Sequence, residues 1–412
     1  MFCFADLAAE VLPLYGNTHT TTSATGMQST FFREESRQLI KQAVNASEED
    51  ALIFTGSGST GAIARLRDAL RLEQYDGGEG QRAVVLTSPF EHHSNLLPWR
   101  EGPVDVVTVR ATETGAIDMG DLRRRLRELS GRPMVIGSFS AASNVTGCLT
   151  DLDAVATTLH EHGALAFFDF ACAGPYVEID MNRIGADDGQ GTSFDAIFLS
   201  PHKFIGGVNT PGVLVAKRRL FTGVPSVPGG GAVFFVTEDS QTYLAEVEHR
   251  EEAGTPDIVG SVRAGLVFQL KDAVGVRNIR RREHAFASRA HAELSAHPNI
   301  QILGPGQDVE RLAIFSFMVL HTETGLYLHH NFVAALLNDL FGIQARGGCM
   351  CAAPYTFDLL GIPLELANRL RETMLDVGGV DSMLLRERDT LRSSKELLRP
   401  GFTRLNVSPL LP

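Results

Sequence analysis

The segment Phe198-Leu-Ser-Pro-His-Lys203-Phe-Ile-Gly-Gly207 sets a lysine where a short apolar stretch, Asp195–Leu199, gives way to a glycine-rich turn. A run of that length and composition predicts a strand covered on both faces of a parallel sheet. The ends of such strands are where open α/β sheets bind ligands. Ser200 and His202 add polar groups beside the amine. A lysine so placed could form a Schiff base with an aldehyde, or be one more solvated surface charge.

Upstream, Gly163-Ala-Leu-Ala-Phe-Phe-Asp169-Phe-Ala-Cys-Ala-Gly174 reads as a second buried strand ending on a carboxylate. Taken singly, Asp169 could be a turn or capping residue. Taken with Lys203, it suits a carboxylate that keeps the pyridine nitrogen of pyridoxal phosphate protonated, which makes the ring a sink for electrons at a substrate α-carbon.

Here the chain resembles the class V aminotransferase family of pyridoxal-phosphate enzymes, in its cysteine desulfurase and selenocysteine lyase branch. The matching motifs, in chain order, are Thr55-Gly-Ser-Gly-Ser-Thr60-Gly-Ala-Ile, Glu91-His92-His93-Ser-Asn-Leu-Leu-Pro-Trp99, Ser143-Asn144-Val-Thr-Gly147, Asp169, Ser200-Pro-His-Lys203, Glu252-Ala-Gly-Thr255-Pro and Arg346-Gly-Gly-Cys-Met-Cys351-Ala. The resemblance implies that His92 stacks on the cofactor ring and handles substrate protons. It assigns Ser59, Thr60, Ser200 and His202 to the cofactor and its phosphate, and Asn144 to the ring hydroxyl. Thr255 would reach the phosphate of a neighbouring subunit, implying a homodimer. Arg346 and Arg404 would bind the substrate carboxylate, for which bidentate guanidinium geometry is suited.

The same resemblance carries a mechanism in which Lys203 takes the α-proton, the ring protonated through Asp169 absorbs the charge, and a cysteine thiolate attacks the substrate sulfur. A protein persulfide and alanine result. The family's spacing puts the reactive thiol on Cys351, and Cys349 is an addition. A Gly347-Gly348 loop would let either thiol swing toward the substrate, or let one resolve a persulfide on the other. Read without the resemblance, Cys349 and Cys351 could also hold a soft metal, form a disulfide or be structural; no second Cys/His pair completes a metal site.

Two departures from the family stand out. Cys172 occupies the place where desulfurases commonly have Gln, and a thiol is a weak donor. The family's extra N-terminal segment and its continuation beyond Gly401-Phe-Thr-Arg404-Leu-Asn-Val407 are missing, so the chain reads as truncated at both ends, with a sheet edge left unpaired.

Gly56-Ser-Gly58-Ser-Thr-Gly61 also fits the G-x-G-x-x-G fingerprint of nicotinamide-dependent oxidoreductases. Either reading uses backbone N–H groups at a helix N-terminus to receive phosphate. The dinucleotide reading needs an acidic residue about twenty positions on, ending a second strand. Glu73-Gln-Tyr-Asp-Gly-Gly-Glu-Gly is instead a polar loop, which favours a single phosphate.

These residues must be positioned by a fold, and the pattern of the chain supplies one. Strand candidates at Ala51–Thr55, Ala83–Thr87, Val104–Val109, Met134–Phe139, Ala164–Asp169, Asp195–Leu199 and Gly212–Val215 alternate with amphipathic helices, including Asp121–Leu129 and Leu152–His160, the latter opened by Thr150 and Asp151. That alternation predicts an α/β fold with a large, doubly wound, mainly parallel sheet. After residue 262 helices at Asn278–Ser295 and Tyr327–Leu340 are followed by strand-like pieces. The division expected is an N-terminal arm and cofactor-binding domain over 1–262, then a smaller C-terminal α+β domain over 263–412 carrying Cys349 and Cys351. In the family resembled this is the fold-type I architecture.

Composition agrees. The 412 residues are 44% hydrophobic and 21% charged, as in an ordinary globular protein. A net charge of −12 without a basic run argues against nucleic acid or an anionic membrane as partner. No apolar stretch approaches the roughly twenty residues of a membrane span. Asp6 and Glu10 do not resemble a secretory leader, and five cysteines fit a reducing compartment, giving a cytoplasmic expectation. The sequence therefore reads as a pyridoxal-phosphate-dependent, cysteine desulfurase-like enzyme acting on a small amino acid and passing sulfur to an acceptor protein, with no metal. A C–S lyase, epimerase or aminotransferase of the same family, or an inactive truncated scaffold, are the alternatives.

Overall fold

The computed structural model describes residues 10–18, 20, 22–77, 80–184, 191–306, 309–375 and 398–408. The chain forms two compact units, one of Met1–Thr112, Ala116–Ala142 and Leu149–Arg282, the other of Glu113–Gly115, Ser143–Cys148 and Glu283–Pro412.

The strands of the first unit are β1 (Asp50–Thr55), β2 (Ala83–Thr87), β3 (Val104–Thr108), β4 (Val135–Ser140), β5 (Leu165–Asp169), β6 (Asn182–Ile184), β7 (Gly191–Ser193), β8 (Ala196–Leu199), β9 (Gly212–Lys217), β10 (Val233–Val236) and β11 (Gln241–Tyr243). Seven build one sheet in the order β1-β9-β8-β5-β4-β2-β3, and these are the seven strands read from the sequence. Pairing is parallel from β8 through β5, β4 and β2 to β3, whereas β9 runs antiparallel to both β8 and β1. Every residue of β1, β2 and β8 is buried, so these strands are covered on both faces, which is why they read as unbroken apolar runs.

The helices between strands begin where short polar side chains take up the free amides. Asp118 accepts from Gly120 and Asp121 to open Met119–Glu128, and Asp151 accepts from Ala154 to open Leu152–Glu161. Trp99, Phe167 and Phe198 lie fully buried in the core under the sheet, with Trp99 stacked on Phe167 at 6.5 Å between ring centres.

The long helix Ala24–Ala43 is fastened to β1 by an ion cluster. Glu252 pairs with Arg37 at 2.9 Å through each of its oxygens, pairs also with Arg33, and accepts the Phe54 amide at 2.6 Å. Both guanidinium groups lie over the Phe54 ring, 5.2 and 5.0 Å from its centre. Burial works against the Glu252 charge, but Arg37, Arg33 and the Phe54 N–H together hold its carboxyl below the usual range.

In the second unit β12 (Ile300–Ile302), β13 (Ile314–His321), β16 (Phe402–Asn406) and β15 (Arg346–Gly348) lie side by side in that order, and β14 (Leu326–Tyr327) pairs with β13. The helix expected from Tyr327 starts at His330, because Tyr327 is spent on the β13–β14 pairing and His329 caps the helix by accepting from Asn331 N–H. Gly347 and Gly348 are not a loop but part of β15, paired with Thr403 and Phe402. Among the described residues no helix is long and apolar enough to cross a membrane.

Glu252→Ala would leave two buried guanidinium groups uncompensated, and chemical denaturation should show a loss of about 3–5 kcal/mol. Glu248, bound to Lys41 at 3.0 Å and Arg218 at 2.7 Å, is buried, yet hydrogen bonding with Glu246, Arg218 and Lys41 holds it down to about 2. Its folded pKa lies below the unfolded value, so its contribution is complete above about pH 4.5 and is lost as pH falls toward about 2. The denaturation midpoints of wild type and Glu248→Gln should therefore converge over that window.

Candidate active site

With β9 the one reversed strand of the sheet, the carboxyl ends of β1, β2, β4, β5 and β8 share one edge. Asp169 is the last residue of β5 and pairs in register with Phe198 of β8. Two residues beyond Phe198 the chain reaches Ser200 and turns through the 3₁₀ segment Pro201–Lys203. This brings Lys203 into electrostatic range of Asp169.

Asp169 is buried, with Oδ1 accepting the Ala171 amide at 2.8 Å. Burial pushes its carboxyl up, while the Lys203 charge, the Ala171 N–H and the Ser59 hydroxyl pull the other way. Net destabilisation of the anion means that the pocket holds too little positive charge to match this carboxylate, and a cationic N–H brought beside it would be stabilised. Lys203 itself is exposed at the edge of the sheet. His202 is held below the usual imidazole range by burial and by the Lys203 charge, which keeps it neutral near pH 7.

Gly58 opens the helix Gly58–Ala69 with φ of +56°. A side chain there would meet His202 Cε1 at 2.6 Å and Ser200 Oγ at 2.9 Å, so glycine is required by both conformation and space. The Ser59 amide donates to Ser200 Oγ at 2.9 Å, and Thr60 Oγ1 bonds Ser94 Oγ at 2.7 Å. A helix N-terminus lined by hydroxyls and a neutral imidazole is suited to an oxyanion.

His92 joins this group through the Ser94 contact. Its Nδ1 accepts the Ser94 amide at 3.1 Å, leaving Nε2 as the protonated nitrogen of the neutral ring. The anchor of that loop was not singled out in the sequence. Glu91 is fully buried and receives Ser88 Oγ at 2.5 Å, Ser140 Oγ at 2.6 Å, Ser140 N at 3.0 Å and Asn95 Nδ2 at 2.7 Å. Asn95 in turn accepts from Trp99 Nε1 at 3.3 Å. Glu91 thus ties the segment after β2 to the end of β4. The Glu91, Asn95, Trp99 spacing of four residues was the available signal. Thr255 lies exposed between the helices Val247–Glu251 and Ile258–Val274, and among the described residues no hydrogen bond links it to the Asp169–Lys203 group. Cys172 is half-buried.

The remaining candidates gather in the second unit. Arg346 of β15 sits directly opposite Arg404 of β16, so both side chains leave one face of the sheet. Arg346 Nη2 reaches Cys351 Sγ at 3.3 Å. Arg404 donates to the Asn144 carbonyl at 2.9 Å, while the Asn144 amide donates to the Met350 carbonyl at 2.7 Å. Among the described residues no hydrogen-bond donor reaches the buried Asn144 Oδ1. Met350 and Cys351 both adopt left-handed backbone, with φ of +54° and +56°, which costs about 1–2 kcal/mol per residue for non-glycine types. Strain of this kind concentrates at functional loops.

A family model described as Aminotransferase class-V matches residues 5–363. The chain is 29% identical over 342 residues to a probable cysteine desulfurase of Halalkalibacterium halodurans, a match spanning 82% of this chain and 77% of that protein. It is 31% identical over 337 residues to probable cysteine desulfurase 2 of Mycobacterium leprae, spanning 77% of this chain and 75% of the other. Among solved structures, the apo cysteine desulfurase of Thermococcus onnurineus NA1 superposes with a TM-score of 0.72 at 22% identity, over 97% of this chain and 86% of that one, and so shares its fold. These matches set aside the dinucleotide reading of Gly56–Gly61, in keeping with Leu72–Tyr75 being a 3₁₀ turn rather than the end of a second strand. The seven-stranded sheet, the lysine and carboxylate at its carboxyl edge and a family match over most of the chain converge: the chain belongs to the class-V aminotransferase family.

Proposed function

We propose that this protein is a pyridoxal-phosphate-dependent cysteine desulfurase. The observation that carries the reading is exposed Lys203 within electrostatic range of buried Asp169, just beyond the ends of adjacent parallel strands. The residues fit the cofactor: the hydroxyl-lined cradle at Gly58 suits its phosphate, and the under-compensated Asp169 carboxylate suits its ring N–H. When bound, the cofactor supplies a conjugated cationic ring that delocalises charge from the substrate α-carbon.

Asp169 keeps that ring nitrogen protonated. Lys203 Nζ accepts the proton leaving the α-carbon, and its position at an open strand end leaves it room to do so. His92, with its proton on Nε2, offers a hydrogen at the ring face, while Glu91 sets the height of its loop. Arg346 and Arg404, emerging side by side, match the two oxygens of an amino-acid carboxylate. Like charges opposite one another on a sheet oppose pairing, and an anion between them relieves this. Cys351 Sγ, touched by the Arg346 guanidinium, attacks the substrate sulfur; the carbon–sulfur bond breaks, the sulfur stays on Cys351 as a persulfide, and the protonated carbon fragment leaves as alanine.

In this reading residues 1–262 bind the cofactor and residues 263–412 carry the sulfur. The exposed Thr255 loop supports a homodimer whose partner's cofactor it reaches. A sulfur-acceptor protein takes the product, and the five cysteines with a net charge of −12 support a reducing, cytoplasmic setting without nucleic-acid or membrane partners.

Lys203→Ala should lose both alanine formation and borohydride fixation of the cofactor; mass mapping of the fixed cofactor to another lysine would falsify the assignment. Asp169→Asn should retain bound cofactor yet turn over about 10²–10³-fold more slowly, the range for removing one preorganised electrostatic partner. Near-normal turnover would remove its role. Cys351→Ala should eliminate alanine formation from cysteine, while Cys349→Ala should chiefly weaken sulfur release. If both variants and their combination act normally on another amino acid, a lyase or aminotransferase activity replaces this proposal.

A further inference from the structure

Cys349 is a second thiol where the Arg346–Cys351 spacing calls for one. The Cys349 carbonyl accepts the Ala352 amide at 3.0 Å, and the two residues between them are both left-handed, which defines a type I′ turn. Such a turn closes to under about 7 Å between its first and fourth Cα atoms. Two Cα–Cα steps of about 3.8 Å folded to that closure set the first and third roughly 5–6 Å apart. Disulfides span about 4.4–6.8 Å between Cα atoms. In extended chain a cysteine pair separated by one residue stands about 6.4–7.2 Å apart, at or beyond the top of that range, whereas the turn sets Cys349 and Cys351 near its preferred middle.

The turn is held from three sides. Thr356 Oγ1 donates to the Cys349 carbonyl at 3.0 Å, Asn144 Nδ2 to the Met350 carbonyl at 2.7 Å, and Arg346 Nη2 to Cys351 Sγ at 3.3 Å. Its leading glycines are locked in β15, where Gly348 abuts Gly401 so closely that a Cβ on Gly401 would stand 2.6 Å from the Gly348 Cα. Both thiols are half-buried and free. A pinned turn raises the effective concentration of one thiol at the other above what a free glycine loop would give.

We propose that Cys349 is the resolving thiol of this enzyme, releasing sulfur from Cys351 as hydrosulfide; the step rests on the desulfurase reading for its persulfide. The Cys349 thiolate attacks Sγ of the Cys351 persulfide. The Cys349–Cys351 bond forms, the bond from Sγ to the outer sulfur breaks, and the electron pair departs with that sulfur as hydrosulfide. The outer sulfur is reduced, the two cysteine sulfurs are oxidised to a disulfide, and a dithiol reductant restores them before the next turnover. Cys351 Sγ, beside the Arg346 guanidinium, is the electrophile in this exchange.

The thiol pair is tested apart from turnover. Full-length Lys203→Ala protein, equilibrated with mixtures of reduced and oxidised dithiothreitol, should yield a loop peptide that has lost two hydrogens as a Cys349–Cys351 disulfide. No disulfide, or pairing of either residue with another cysteine, overturns the proposal. Wild-type holoenzyme given one equivalent of cysteine per active site, with no other thiol, should release one hydrosulfide for each alanine and end with the loop oxidised, and dithiothreitol should return the loop to the dithiol. Cys349→Ser should lose hydrosulfide release and retain one extra sulfur on Cys351. Hydrosulfide released by Cys349→Ser as by wild type, or sulfur found on Cys349 with no disulfide, overturns it. Absence of alanine from wild type, with the disulfide still forming in Lys203→Ala, places the failure in the desulfurase reading and removes the persulfide step with it.

Discussion

Parallel pairing of β5 with β8 is the constraint on which the site depends. The register that sets Asp169 beside Phe198 fixes how far the next turn must travel before Lys203 emerges. A slip of one residue would turn the Asp169 side chain to the opposite face of the sheet and separate the charges. The register is secured by strands buried on both faces, where Phe167 meets Phe198 edge to face at 6.2 Å between ring centres.

Three buried carboxylates show how one fold assigns different tasks to the same chemical group. Glu252 meets two guanidinium groups and is held ionised, as befits a fastening. Among the described residues Glu91 meets hydroxyls, backbone amides and an amide side chain but no cation, and burial pushes it up although these partners donate to it. Its hydrogen bonds fix a loop in place and do not neutralise a charge. Asp169 is also pushed up, with an amine nearby and room at an open strand end. What separates Asp169 from Glu91 is the lysine charge within electrostatic range, which Glu91 does not have, and perturbed carboxylates with a specific charge partner concentrate at functional sites.

The second unit makes its contribution with backbone. β15 places one arginine opposite another and then ends in a turn of the wrong hand for its residue types. The cost of holding Met350 and Cys351 there is offset by bonds from Asn144, Thr356 and Arg346. This is why the thiols do not hang from a glycine loop, as the pair Gly347-Gly348 suggested.

The seven strands of the large sheet, the lysine and the aspartate were legible in the chain, since fully covered strands must be continuous apolar runs and a polar residue at the end of one stands out. So was the order of the motifs. Hidden from it were the role of Glu91, whose partners come from segments before and after it and from β4, and the start of the helix at His330, where Tyr327 obeys helical spacing but is taken by β13. The hand of the Cys349–Ala352 turn was hidden too, since Met and Cys have no local preference for left-handed backbone. The residue types at strand ends can be read directly from the chain, because burial and periodicity are local properties. Which of them share an edge, which carboxylate finds a cation, and which two thiols face one turn were decided by the tertiary structure, because strand order, register and long-range hydrogen bonds are set between segments far apart in the chain.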